Sequence, residues 1–151
     1  MSEFEVRPIN SLLSVDLSHL VSESKELGFR FLERLVNDFK EGKNTFNKEG
    51  EAIYGVYKKQ GDLIAIGGLN RDPYSNPLKV GRLRRFYVAK AYRRNGIGSL
   101  LLNKIILDAK NHFEVMVLHT DTMEAGRFYT AYGFSENDED PNSTHYLNLK
   151  P

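Results

Sequence analysis

The chain has 151 residues, of which 40% are hydrophobic. Its 12 glycines lift the apolar share to about 48%, ordinary for a globular domain and too high for a disordered or collagen-like chain. There is no cysteine, which excludes disulfides, thiolate metal sites and a cysteine nucleophile, and the near balance of 21 basic and 20 acidic residues selects no partner.

Met1-Ser2-Glu3-Phe4-Glu5 places acids where a secretory signal needs cations. The longest mainly apolar run, Leu63 to Leu69, is far short of the roughly 20 residues that span a bilayer. The expectation is a cytoplasmic protein with one domain over 1–151 and no membrane partner.

Phe4 to Ile9 alternates and predicts a first strand. Leu17, Leu20 and Val21 follow the plausible caps Asp16 and Ser18 at helical spacing, and Gly28 breaks the pattern. Phe29, Leu32, Val36 and Phe39 predict a second helix, ended by Gly42. The segment 41–50 reads as a polar loop. The period then switches to two: Ile53–Tyr57 and Leu63–Gly67 flank Lys58–Asp62, a hairpin signal. Asp72–Pro77 is turn-rich, and Arg82–Val88 predicts the next strand. The strongest helix pattern runs from Ile97 to His112, with Leu102, Ile106, Ala109 and Phe113 on one stripe and Leu101 and Ile105 widening it. Val115–Leu118 reads as a buried strand, Met123–Ala131 as a short helix closed by Gly133, and Thr144–Leu149 as a last strand. The order predicts a mixed α/β sheet domain.

Charge is uneven along this frame. Seven basic residues and no acid lie between Lys79 and Arg94, and four acids lie in Glu136–Asp140. The basic run ends in Arg93-Arg94-Asn95-Gly96-Ile97-Gly98, between a predicted strand and a predicted helix. A helix start exposes unpaired N–H groups with partial positive charge, and glycines let that backbone approach an anion. The loop lacks the Lys-Ser/Thr ending of a triphosphate loop, and Leu101 replaces the third glycine of a dinucleotide fingerprint. A diphosphate of another cofactor fits better; a plain strand-to-helix turn is the structural alternative.

Here the sequence resembles the Gcn5-related N-acetyltransferase superfamily. Arg93–Gly98 matches its Q/R-x-x-G-x-G/A signature, and Ala125–Phe134 matches its A-x-x-F/L-Y-x-x-x-G-F motif. The two cover the region from Arg82 to Phe134. The resemblance implies a mostly antiparallel sheet of six to seven strands flanked by about four helices, with the fourth and fifth strands splayed. It implies acetyl-CoA as cosubstrate and direct transfer to a primary amine. The main chain of Arg94, Asn95, Gly96, Ile97, Gly98 and Ser99 would hold the CoA diphosphate, with Arg93 beside it. The backbone of Phe86, Tyr87 and Val88 would pair with the pantetheine arm. An N–H there, that of Phe86 first, would hold the developing oxyanion.

The resemblance also places Tyr129 against the departing sulfur. From reference values, full proton transfer from tyrosine to a thiolate is uphill by roughly 2 kcal/mol, so a strong hydrogen bond is expected. Where many relatives carry a strand carboxylate this chain has Arg82 and Arg84, which cannot act as bases. Thr122 stands where an asparagine is common. His119 at the end of the fifth strand is the candidate base, with Asp121 and Glu124 behind it. His145 is read near the cleft mouth. Plain alternation would put Arg82, Arg84 and Phe86 on one side of the strand and Leu83, Arg85 and Tyr87 on the other. At least one of Arg82 and Arg84 is therefore expected to meet the acceptor, a small amine bearing an acidic group such as an amino acid, unless both pair with the Glu136–Asp140 loop. The four histidines have no metal-site spacing, so no metal is expected. Two other readings remain: a CoA-binding module without turnover, and a nucleic-acid binder using the basic run, which diphosphate binding already explains. A monomer or homodimer with no nucleic-acid partner is expected.

Overall fold

A computed structural model describes residues 3–76 and 78–150. The turn residue Pro77, the terminal Met1 and Ser2 of the signal reading, and Pro151 lie outside the described residues. Seven strands form one sheet: β1 (Phe4–Pro8), β2 (Ala52–Lys58), β3 (Leu63–Arg71), β4 (Val80–Val88), β5 (Val115–Leu118), β6 (Ser135–Glu136) and β7 (His145–Asn148). Their spatial order is β1-β2-β3-β4-β5-β7-β6. Every neighbouring pair is antiparallel except β4 and β5. The helices are α1 (Ser18–Glu26), α2 (Phe31–Lys40), α3 (Ile97–Ala109) and α4 (Met123–Ala131).

The helices form where apolar residues recur at three- and four-residue steps. In α3, Ile97, Leu101, Leu102, Ile105, Ile106 and Ala109 are all buried. Burial of each large aliphatic side chain contributes about 1.5–3 kcal/mol, so this helix anchors one face of the sheet. Glycines at positive φ close the first two helices: Gly28 at 90° after α1 and Gly42 at 75° after α2. Asp16 accepts from the Ser18 N–H at 3.0 Å and so turns the chain into α1. Several boundaries differ from the sequence pattern, and one strand has no sequence signal. Helix α3 stops at Ala109 rather than His112, and the two-residue β6 is too short to show any alternation.

Sheet register assigns the faces. A Cβ on Gly67 would meet Ile105 and Leu101 of α3, whereas one on Gly68 would meet Phe46. Tyr87 donates to Glu23 of α1 and packs against Phe31 of α2. One face of the β3–β4 region thus carries α3, and the other carries α1 and α2.

The alternation expected for β4 fails at one point. Ile66 pairs with Tyr87 and Gly68 with Arg84, so Gly67 stands opposite two residues, Arg85 and Phe86. This is a β-bulge, and Arg85 adopts a φ of 57° to make it. Phe86 therefore lies on the α3 side, within 3.0 Å of where a Gly67 Cβ would be. Arg85 lies on the α2 side with Arg84 and Tyr87.

Candidate functional site: a split between two strands

Strands β4 and β5 are paired only from Val80–Arg82 to Val115–Val117. Beyond Arg82, β4 runs on for six residues without β5 beside it. The short β5 ends because β7 captures its tip: the Thr144 N–H donates to the Leu118 carbonyl at 2.9 Å, and the Thr120 N–H to Thr144 Oγ1 at 3.0 Å. The edge of β4 is left open over the bulge, offering main-chain polar groups to an extended ligand.

The loop after β4 closes one end of this split. Arg94 and Gly96 take φ values of 66° and 78°, which aligns the chain for entry into α3. No hydrogen bond from the main-chain N–H groups of Arg94 to Ser99 is made to another described residue. Six consecutive donors at a helix start make an anion cradle. Gly96 faces open space, whereas a Cβ on Gly98 would lie 3.3 Å from Phe128 Cζ. Gly98 thus makes room for α4, a packing role the motif alone does not reveal. Arg94 and Asn95 are exposed. Arg93 folds back: its Nε donates to the Val88 carbonyl at 3.0 Å and its guanidinium lies 5.2 Å from the Tyr87 ring centre. Its side chain ties the loop to the end of β4. Glu23 does the same from α1, accepting from the Tyr87 hydroxyl and from the Lys90 N–H at 2.9 Å.

Tyr129 is buried on the inner side of α4 among Phe86, Phe128, Phe134 and His145. Burial alone, with no charge or hydrogen bond contributing, pushes its hydroxyl pKa well above the ordinary tyrosine value. Tyr132 sits one turn on and reaches the Ser99 carbonyl at 3.4 Å, toward the loop rather than the core. Thr122 caps α4 by accepting from the Ala125 N–H at 3.2 Å, so its hydroxyl is used by the helix.

His119 lies just beyond β5, exposed, with Nε2 2.9 Å from Asp121 Oδ1. His145 is buried, not at a cleft mouth. Its Nδ1 is 2.8 Å from Thr144 Oγ1, and its Nε2 has no partner among the described residues. Glu124 belongs to the exposed first turn of α4.

Arg82 and Arg84 part company. Arg82 is buried, and its Nε donates to Asp72 Oδ1 at 2.8 Å, with Tyr74 covering the guanidinium at 5.0 Å. Its ion-pair partner is Asp72 of the β3–β4 loop, while Asp140 of the acidic loop lies only close enough for the Arg82 charge to help lower its pKa. Arg84 is half-buried beside Gly68 on the same face. Glu23 and Asp72 belong to no motif, and Phe128, the F/L position of the second motif, gains its packing role against Gly98 only in the fold. Arg85 was set on the wrong face because alternation does not foresee a bulge.

Among the described residues no group of three or more His, Cys, Asp or Glu could hold a metal, and no helix is long and apolar enough to cross a membrane. A groove outside the split is bounded by Asp16, His19, Lys58, Asp62 and Tyr92.

The family model described as "Acetyltransferase (GNAT) domain" matches residues 49–136. A solved structure of a protein from Exiguobacterium sp. 255-15 assigned as an acetyltransferase superposes with a TM-score of 0.87 at 26% identity, covering 97% of this chain and 94% of that one. An acetyltransferase of the GNAT family from Staphylococcus aureus Mu50 superposes at 0.77 with 22% identity, over 97% and 99% of the two chains. The AtaT toxin, solved with the C-terminus of the antitoxin AtaR and acetyl-CoA, shares the fold at 0.74 and 11% identity, over 98% and 94%.

Proposed function

The chain belongs to the GNAT acetyltransferase family, and from that premise we propose that it transfers acetyl from acetyl-CoA directly to a primary amine of a small, amino-acid-like acceptor. The observation that carries this reading is the pairing of six free N–H donors at the start of α3 with an open β4 edge beside them. A diphosphate fits the first and an amide-bearing pantetheine chain fits the second.

In this reading the main chain of residues 94–99 holds the diphosphate. Arg93 braces the loop, and its remaining guanidinium donors add positive charge. The backbone of Phe86, Tyr87 and Val88 aligns the thioester, with the Phe86 N–H on its carbonyl oxygen. Amine attack places charge on that oxygen, and a preorganised donor stabilises it. Tyr129 donates its hydroxyl hydrogen to the leaving sulfur. Its raised pKa makes it a poor source of a free proton but a good neutral donor in a dry pocket. His119, held by Asp121, takes the proton from the amine. Holding both reactants in line supplies most of the acceleration. The protein acts in the cytoplasm as a monomer or homodimer, with its one domain spanning 1–151.

A second reading, a CoA-binding module without turnover, draws on the arginines that occupy the strand positions of the usual base. Both are tested by calorimetric titration with acetyl-CoA followed by thiol release with a panel of amines. Binding with thiol release supports transfer. Binding without release across the panel supports the module, and absence of binding overturns both.

A further inference from the structure

The bulge in β4 turns consecutive arginines onto one face. Arg84 shares the face of Gly68, its partner in the register. Arg85, at its φ of 57°, points the same way and reaches α2, where its Nη2 lies 3.8 Å from Asp38 Oδ2. Its side chain is only 14% exposed. Arg34 stands one turn before Asp38 on α2, close enough to repel Arg85. Among the described residues the side chains of Arg34 and Arg84 make no hydrogen bond or ion pair. Of the three guanidinium groups, only that of Arg85 has a carboxylate within 4.0 Å, that of Asp38. Burial first, then Arg84, and to a smaller extent Arg34, outweigh Asp38 and hold the Arg85 pKa down to about 10. The group still carries its charge at neutral pH, so the fold bears an excess of partly desolvated positive charge.

We propose that Arg34, Arg84 and Arg85 form an oxyanion subsite for a carboxylate or phosphate group of the acetyl acceptor. This rests on the transfer reading above, since Arg85 immediately precedes Phe86, whose N–H that reading sets on the thioester carbonyl. The acidic group of the acceptor then lies beside the transfer centre. Planar guanidinium forks match both oxyanions bidentately. The same charges repel a polycation and lower the pKa of a neighbouring ammonium, which eases loss of its proton. Of the two arginines expected in this role, Arg84 keeps it, but Arg82 is already paired with Asp72. Arg85 takes its place because the bulge re-aims it.

The test uses CoA-loaded protein, so that the signature loop is filled. It is titrated calorimetrically with sodium phosphate and with glutarate at constant ionic strength, as wild type, Arg84→Gln, Arg85→Gln and Asp38→Asn. Charged hydrogen bonds of this kind set the expectation at about a tenfold or greater loss of affinity in each arginine variant. Asp38→Asn removes the competing carboxylate and should tighten binding. A merely structural ion pair would instead weaken binding in Asp38→Asn and Arg85→Gln alike, which would overturn the proposal. If Arg85→Gln fails to fold, Arg84→Gln at its half-buried position decides. Thiol release then compares β-alanine with β-alaninamide, and phosphoethanolamine with ethanolamine, with spermidine as the cationic control. The anionic member of one pair should show at least tenfold higher kcat/KM, identifying carboxylate or phosphate, and the advantage should shrink in Arg85→Gln. Equal rates within both pairs, or a preference for spermidine, would overturn the subsite while leaving the transfer reading intact. Absence of acetyl-CoA binding would sink the transfer reading, and the phosphate titration of the same variants would still judge the subsite.

Discussion

Tyr129 illustrates how burial changes what a reactive group can do. A phenol shielded from water and without a charged partner resists ionisation. Full proton transfer to sulfur becomes harder, and hydrogen bonding to it becomes the available help. Tyr129→Phe keeps the ring packing against Phe86 and Phe134 and removes only the hydroxyl. We expect kcat to fall by about 10- to 100-fold with KM nearly unchanged, because that bond forms mainly in the transition state. Tyr132→Phe should cost far less; the reverse order would place the motif one turn out. The signature glycines separate in the same way. Gly96 holds a φ of 78° and faces open space, so Gly96→Val strains only the backbone and meets the ligand directly. It should cost about 1–2 kcal/mol of stability and weaken acetyl-CoA binding at least tenfold, read by denaturant titration and calorimetry. Gly98→Val must also displace Phe128, so its loss of affinity will come with a larger loss of stability.

At the scale of elements, the site depends on how the end of β4 is held. With no β5 beside it, the strand tip is held by β3 along one edge and by Glu23 of α1 and Arg93 of the following loop. Glu23→Ala frees the Tyr87 hydroxyl and the Lys90 N–H, loosening both the strand tip and the loop. We expect the KM for acetyl-CoA to rise by several-fold, with a smaller change in the acceptor KM; equal changes in both would show that α1 acts elsewhere. The start of β4 is held differently, by the Arg82–Asp72 pair, whose side chains are 7% and 4% exposed. Asp72→Asn leaves Arg82 charged, buried and unpaired, at a cost of about 3–5 kcal/mol in urea unfolding. An apolar pair of similar volume at both positions should recover much of that loss. Recovery with retained activity would confirm that this arginine supports the strand rather than the acceptor.

At the scale of the whole molecule, three tyrosines tie the layers together. Tyr54 donates to Asp108 of α3, Tyr87 to Glu23 of α1, and Tyr129 is packed inside α4. All three have hydroxyl pKa values raised by burial, helped at Tyr54 and Tyr87 by the neighbouring carboxylate. A tyrosine whose folded pKa exceeds its unfolded value contributes stability that is fully present below about pH 10 and is lost as pH rises through the folded pKa. Stability should therefore be insensitive to these groups near neutrality and fall above pH 10, by about 1.4 kcal/mol per pH unit for each tyrosine. Unfolding midpoints of wild type and Tyr54→Phe between pH 9 and 11 would check this, the variant falling less steeply. Parallel slopes would show that Tyr54 ionises as readily folded as unfolded.

Period and punctuation in the sequence were enough to specify the four helices and every strand but β6. The 3.6-residue stripe of α3, the hairpin of β2 and β3, and the glycines closing α1 and α2 are local signals, set by side-chain spacing and backbone freedom. The strand–glycine-loop–helix cradle was legible for the same reason, since its chemistry belongs to consecutive main-chain atoms. What depends on residues distant in the chain was not legible. Glu23 meets Tyr87 across 64 positions, and Arg82 makes its ion pair with Asp72. His145 turned out to be buried under α4 instead of opening on the cleft. Most of all, the face on which Arg85 stands was decided by one bulge opposite Gly67, where Phe86 takes the space a side chain would fill. Alternation is a property of an unbroken strand, and only packing against α3 determines where this strand breaks it.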